Sequence, residues 1–137
     1  MKKILVFVFL IVLGAGLAWT YYMKKQVDSR YSLKSLQEIA KGANATLPVL
    51  VDAQTRLDKV SASEKVLEKH YTLIGVQESA VNKVTFMEAM TKALREQSCV
   101  NSQSKDLYQH GVSEWFSYSD ENHNLLATIK INLSSCQ

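Results

Sequence analysis

The sequence predicts an α+β protein: an N-terminal transmembrane helix, then helix, hairpin, helix, hairpin, with a small antiparallel sheet packed by helices on one face. Three observations predict it. An almost unbroken apolar run fills Ile4 to Met23. A stripe at helical spacing, formed by Phe86, Met90, Ala93, Leu94 and Gln97, follows the pair Thr85 and Glu88. Near the end, Leu125, Ala127, Ile129, Ile131 and Leu133 alternate with Leu126, Thr128, Lys130 and Asn132, which is the period of a half-buried strand.

The apolar run comes first. As a helix rising ~1.5 Å per residue, Ile4 to Met23 reaches ~30 Å, about one hydrocarbon core. Lys2 and Lys3 precede it, and Lys24 and Lys25 follow. Trp19, Tyr21 and Tyr22 stand where an interfacial aromatic belt would, with Lys24 and Lys25 in the headgroup layer. That reading makes residues 1–25 an uncleaved signal-anchor and residues 26–137 a periplasmic domain, giving a single-pass inner-membrane protein. The alternative is a cleaved signal peptide, with Gly16 and Ala18 as the small residues before a cut at Trp19. The domain would then be periplasmic or secreted.

The flanking lysines also explain the charge. The chain of 137 residues has a formal net charge of +3, from 16 Lys and Arg against 13 Asp and Glu. Lys2, Lys3, Lys24 and Lys25 account for four of those positives, so residues 26–137 are close to neutral. A near-neutral domain without a basic cluster excludes nucleic acid as the expected partner. The two cysteines, Cys99 and Cys136, both fall in this domain. In an oxidising compartment an even pair reads as a disulfide; in the cytosol the same residues would be free thiols. Two cysteines without a histidine at ligand spacing do not suggest a zinc site.

Within the domain, Leu33, Leu36, Ile39 and Ala40 place a helix over Ser32 to Lys41, with Ser29 or Ser32 as cap and Gly42 at its end. Pro48, the only proline, biases Leu47 toward extended backbone and opens the sheet. Arg56–Ala62 and Val66–Val76 form a hairpin around Ser63-Glu64-Lys65. In its second strand Leu67, Tyr71 and Leu73 share one face, and Val66, His70 and Ile74 the other. Thr85 and Glu88 form a capping box for the helix Thr85 to Ser98. A short helix, Lys105 to Gln109, stops before Gly111. Val112 to Tyr118 is the next strand, with Trp115 facing away from Phe116 and Tyr118. Ser119 to Asn124 turns the chain into the last strand.

Leu47-Pro48, Val51-Asp52, Thr55, Leu57-Asp58 and Tyr71-Thr72-Leu73, together with Cys99, Gly111, Tyr118 and Cys136, resemble a group of small bacterial envelope proteins of unknown function. These carry a Leu-Pro…Val-Asp…Thr-x-Leu-Asp…Tyr-Thr-Leu pattern and a late cysteine pair. The resemblance spans Leu47 to Cys136. It implies a bacterial envelope location and attaches no activity.

Catalysis needs reactive groups that converge, and the sequence offers few. His70 with Asp52 or Asp58 would be the acid–base set of a small hydrolase. Cys99 with His110 would be a thiol dyad, which a disulfide at Cys99 removes. No nucleophile elbow, Gly-rich phosphate loop, Cys-x-x-Cys or His-Glu-x-x-His occurs, and no cofactor or metal is expected. The aromatic residues Tyr108, Trp115 and Tyr118 cluster near the last hairpin and form the expected partner surface. The sequence thus reads as a non-catalytic domain, anchored to the membrane by its N-terminal helix, that binds another envelope protein as an accessory or assembly factor. The alternative is a secreted periplasmic inhibitor or immunity protein. Oligomeric state is left open.

Overall fold

In the computed structural model, which describes residues 30–137, the first helix begins where the Ser32 hydroxyl accepts the Ser35 amide. This helix, α1 (Leu33–Asn44), runs past Gly42 and ends on Asn44. It buries Leu36 and Ala40, one turn apart, against the sheet. Its last residue has a second role. Asn44 Nδ2 donates to the Val60 carbonyl and Asn44 Oδ1 accepts the Val60 amide, each at 2.8 Å. One side chain thereby supplies both hydrogen bonds that a neighbouring strand would have made.

The sheet holds β1 (Val49–Leu50), β2 (Thr55–Ser63), β3 (Val66–Leu73), β4 (Ser113–Asp120) and β5 (Leu125–Ile131), in that spatial order. β1 pairs with β2 only at Leu57 and Arg56, which leaves the edge that Asn44 covers. β2 and β3 form the hairpin, and Lys65 takes a positive φ of 57° in its turn. Between β3 and β4 the chain crosses the sheet through a 3-10 turn at Glu78–Ala80, α2 (Lys83–Ser98) and α3 (Ser102–Gln109). Asn82 caps α2 by accepting the Thr85 amide, and Asn101 caps α3 by accepting from Gln103 and Ser104. These caps lie three and four residues ahead of the expected helix starts, Thr85 and Lys105. The expected Thr85 capping box is therefore replaced by Asn82.

The crossover corrects the predicted architecture. β3 and β4 are parallel, with Leu67 opposite Glu114 and Tyr71 opposite Tyr118, so the sheet is mixed rather than antiparallel. The physical reason is the helical connection, which returns the chain to the end of the sheet from which β3 started. Among the described residues, three helices and five strands replace the expected helix–hairpin–helix–hairpin. The expected transmembrane helix falls on residues outside those described. Among the described residues, no helix is long and apolar enough to cross a membrane.

Register separates the two faces. Val60, Leu67, Phe116, Tyr118, Ile129 and Ile131 point to one side and belong to the core. Phe86 of α2 and Tyr108 of α3 meet that side at Tyr118 and Glu114. The other side presents Ser61, Glu68, His70, Trp115, Ser117, Thr128 and Lys130. After β5 the chain ends in a 3-10 turn, Leu133–Cys136, capped by Asn132. Cys136 is joined there to Cys99 at the end of α2, with Cα atoms 5.4 Å apart.

Candidate functional site

On the helix side, a cleft of about 380 Å³ opens over the parallel pair β3–β4. Its floor is Lys69, Tyr71, Phe116 and Tyr118. Alternation along the two strands puts these four on one face, and the parallel register sets them side by side. Met90 and Ala93 of α2 form one wall, and the stretch leading from β1 to β2 brings Asp52 to the rim.

The floor is aromatic and charged at once. The rings of Tyr71 and Tyr118 stack with centroids 5.0 Å apart and planes 14° from parallel. Phe86 meets Tyr118 edge-on at 5.5 Å. Such pairs add about 0.5–1.5 kcal/mol beyond the area they bury. Lys69 Nζ lies 2.7 Å from Glu114 Oε1 and 4.9 Å from the centre of the Phe116 ring. The Tyr108 hydroxyl donates to Glu114 Oε2 at 2.6 Å. The Glu114 side chain is 4% exposed and that of Lys69 29%, so the carboxylate is sealed and the ammonium reaches the cleft.

Proton affinities follow from these contacts. Burial pushes the Glu114 carboxyl up, but the charge and hydrogen bond of Lys69, with help from Tyr108 and Ser104, outweigh it and hold it below its usual value. Burial, with Glu114 adding to it, raises the Tyr71 phenol to about 12. Tyr118 and Tyr108 are raised for the same first reason, burial. At the rim, the Gln54 amide and then the Thr55 hydroxyl hold Asp52 below the usual carboxylate range. At neutral pH the cleft therefore has neutral phenols, one paired ammonium and a charged rim carboxylate.

A larger depression, about 840 Å³, runs along the outward side of α2 and past the disulfide. Val84 and Met87 lie exposed along it, with Lys92 and Arg95 beside them. It is an open furrow on one helix and a turn. The cleft brings buried charge and stacked rings together, and is the stronger site.

The residues singled out from the sequence divide differently. Tyr108 and Tyr118 are 2% and 3% exposed, so neither is available at a surface. Each packs inward because β4 alternates and α3 lies over it. Trp115 is on the opposite, polar face, where Lys130 Nζ sits 3.9 Å from its ring centre. The three rings do not form one patch. His70 is also on the polar face, 2.8 Å from the Ser61 hydroxyl, whereas Asp52 is at the cleft on the other side. Asp58 is engaged by Arg56 and by the Thr72 hydroxyl. Cys99 is bonded to Cys136, and among the described residues no cluster of three His, Cys, Asp or Glu could hold a metal ion. Trp19, Tyr21, Tyr22, Lys24 and Lys25 lie outside the described residues. Lys69 and Glu114 escaped the sequence reading, though each is a charged residue on the apolar side of a strand, and that was the available signal.

No family model matches the chain, and no curated protein matches it. Solved structures do. A candidate secreted protein of Pseudomonas aeruginosa superposes with a TM-score of 0.68 at 16% identity, covering 77% of this chain and 92% of its own. The pilotin EpsS of the Vibrio vulnificus type 2 secretion system gives 0.63 at 14%, covering 80% and 96%. The type II secretion system pilotin AspS of Vibrio cholerae gives 0.62 at 15%, covering 80% and 95%. At these identities the likeness is one of fold. The single-pass inner-membrane expectation is withdrawn: no described helix could span a membrane, and these similar structures include a candidate secreted protein and pilotins.

Proposed function

We propose that this chain is a non-catalytic accessory or assembly protein of the bacterial envelope, and that it holds a segment of another envelope protein in the cleft over β3 and β4. The observation that carries the reading is the cleft itself. Its apolar walls and aromatic floor suit a side-chain-rich segment, and its titrating groups are locked: Lys69 is paired, Glu114 is sealed, and the phenols are neutral. A fold shared with two pilotins supports the accessory role. We assign residues 26–137 to this domain and residues 1–25 to a separate export segment.

The test is a steric block. Ala93→Arg puts a long side chain into the cleft from an exposed helix position, and Trp115→Ala changes only the opposite face. Loss of a co-purifying envelope protein with the first change and its retention with the second is the expected result. The reverse pattern rejects the cleft.

A further inference from the structure

We infer that the segment bound in the cleft is cationic as well as apolar, presenting a lysine or arginine to Asp52 while its apolar side chains rest on Met90 and Tyr71. This deepens the cleft reading and rests on it. The reason is charge. Among the described residues, the charged groups lining the cleft are Asp52 at the rim and Lys69 in the floor, with Glu114 sealed behind Lys69. Lys69 and Glu114 cancel at 2.7 Å. Asp52 is left, and the groups holding it are a backbone amide and a hydroxyl rather than a cation.

The field of Asp52 is felt inside the cleft, since its charge contributes to raising the Tyr118 phenol, after burial and Tyr71. A partner carboxylate would meet two carboxylates against one ammonium, and its entry would be opposed. A partner cation would be drawn to Asp52 and could lie against the half-buried Tyr71 ring, which favours cations through its quadrupole. An uncharged apolar segment would gain the walls and floor and nothing from the rim.

Three probes of equal chain length separate these cases: hexylguanidinium, hexanol and hexylsulfate, titrated into the full chain with the Met90 methyl and the Tyr71 ring followed by NMR. Hexylguanidinium is expected to bind about threefold to fivefold more tightly than hexanol, with hexylsulfate weakest. Asp52→Asn keeps an acceptor for the Gln54 amide and should level the three. Raising the salt concentration on the wild-type chain should shrink the same preference, independently of any variant. Equal affinities for all three probes at Met90 and Tyr71, or a preference unchanged in Asp52→Asn, would overturn the inference while leaving the cleft as the binding site. No response at either residue to any probe would overturn the cleft reading and this inference together.

Discussion

Lys69 and Glu114 face each other diagonally across the parallel strands β3 and β4, their Nζ and Oε1 atoms 2.7 Å apart on the apolar side of the sheet. The pair ties the hairpin β2–β3 to β4 at the point where the cleft opens. Removing Lys69 alone strands a buried carboxylate. Lys69→Met should therefore cost about 3 kcal/mol, the lower end of the range for breaking a buried pair, because Lys69 is partly exposed. The double change Lys69→Met with Glu114→Gln should recover most of that loss. Urea denaturation of the two variants checks the prediction.

The same pair sets the acid limit. Glu114 is held below its ordinary value of 4.5, so its contribution is present above that pH and is lost as pH falls through the lower folded value. Stability should drop below about pH 4.5 in wild type and less steeply in Glu114→Gln. Denaturation midpoints from pH 6 down to about pH 3 give the comparison.

At the alkaline end the sign reverses. The Tyr71 phenol titrates at about 12 in the folded chain against 10.0 ordinarily. The unfolded chain therefore loses its proton first, and stability falls as pH rises from about 10 to about 12. Tyr71→Phe should flatten this part of the profile. Tyrosinate absorbance against pH reads the shifted phenol directly.

The bond between Cys99 and Cys136 closes a separation of 37 residues. Chain entropy assigns such a closure about 4 kcal/mol. Reduction should lower the melting temperature by about 4–8 °C for each kcal/mol lost. A scan with and without reductant measures it, and an unchanged transition would contradict a structural role.

Asn44 guards the open edge of β2. Asn44→Ala leaves the Val60 amide and carbonyl without their partners, at about 1–3 kcal/mol, and exposes an edge that can pair with another chain. Loss of stability should come with concentration-dependent self-association, visible by gel filtration.

Local structure was legible in the sequence and long-range pairing was not. Period-2 alternation located β5 because Ala127, Ile129 and Ile131 are core, although Leu125 at its start is exposed and Leu126 is buried instead, and it placed Trp115 opposite Phe116 and Tyr118. Helical spacing found α2 from Phe86, Met90 and Leu94. The parallel partnership of β3 and β4 is set by how a connection of two helices returns, and no residue in either strand announces it. Without that register Lys69 and Glu114 are two solvated charges in separate strands, and the cleft does not exist. Tyr108 and Tyr118 were misread as surface because clustering in sequence says nothing about which helix covers them.

Whether a partner sits in the helix-side cleft is read out by site-specific photocrosslinking in the cells that make the protein. A photoreactive amino acid replaces Ala93 in the cleft wall or Trp115 on the polar face, one position at a time. An adduct with one envelope protein should form from position 93 and none from position 115. An adduct from position 115 alone, or from neither position, would rule out the cleft as the binding site.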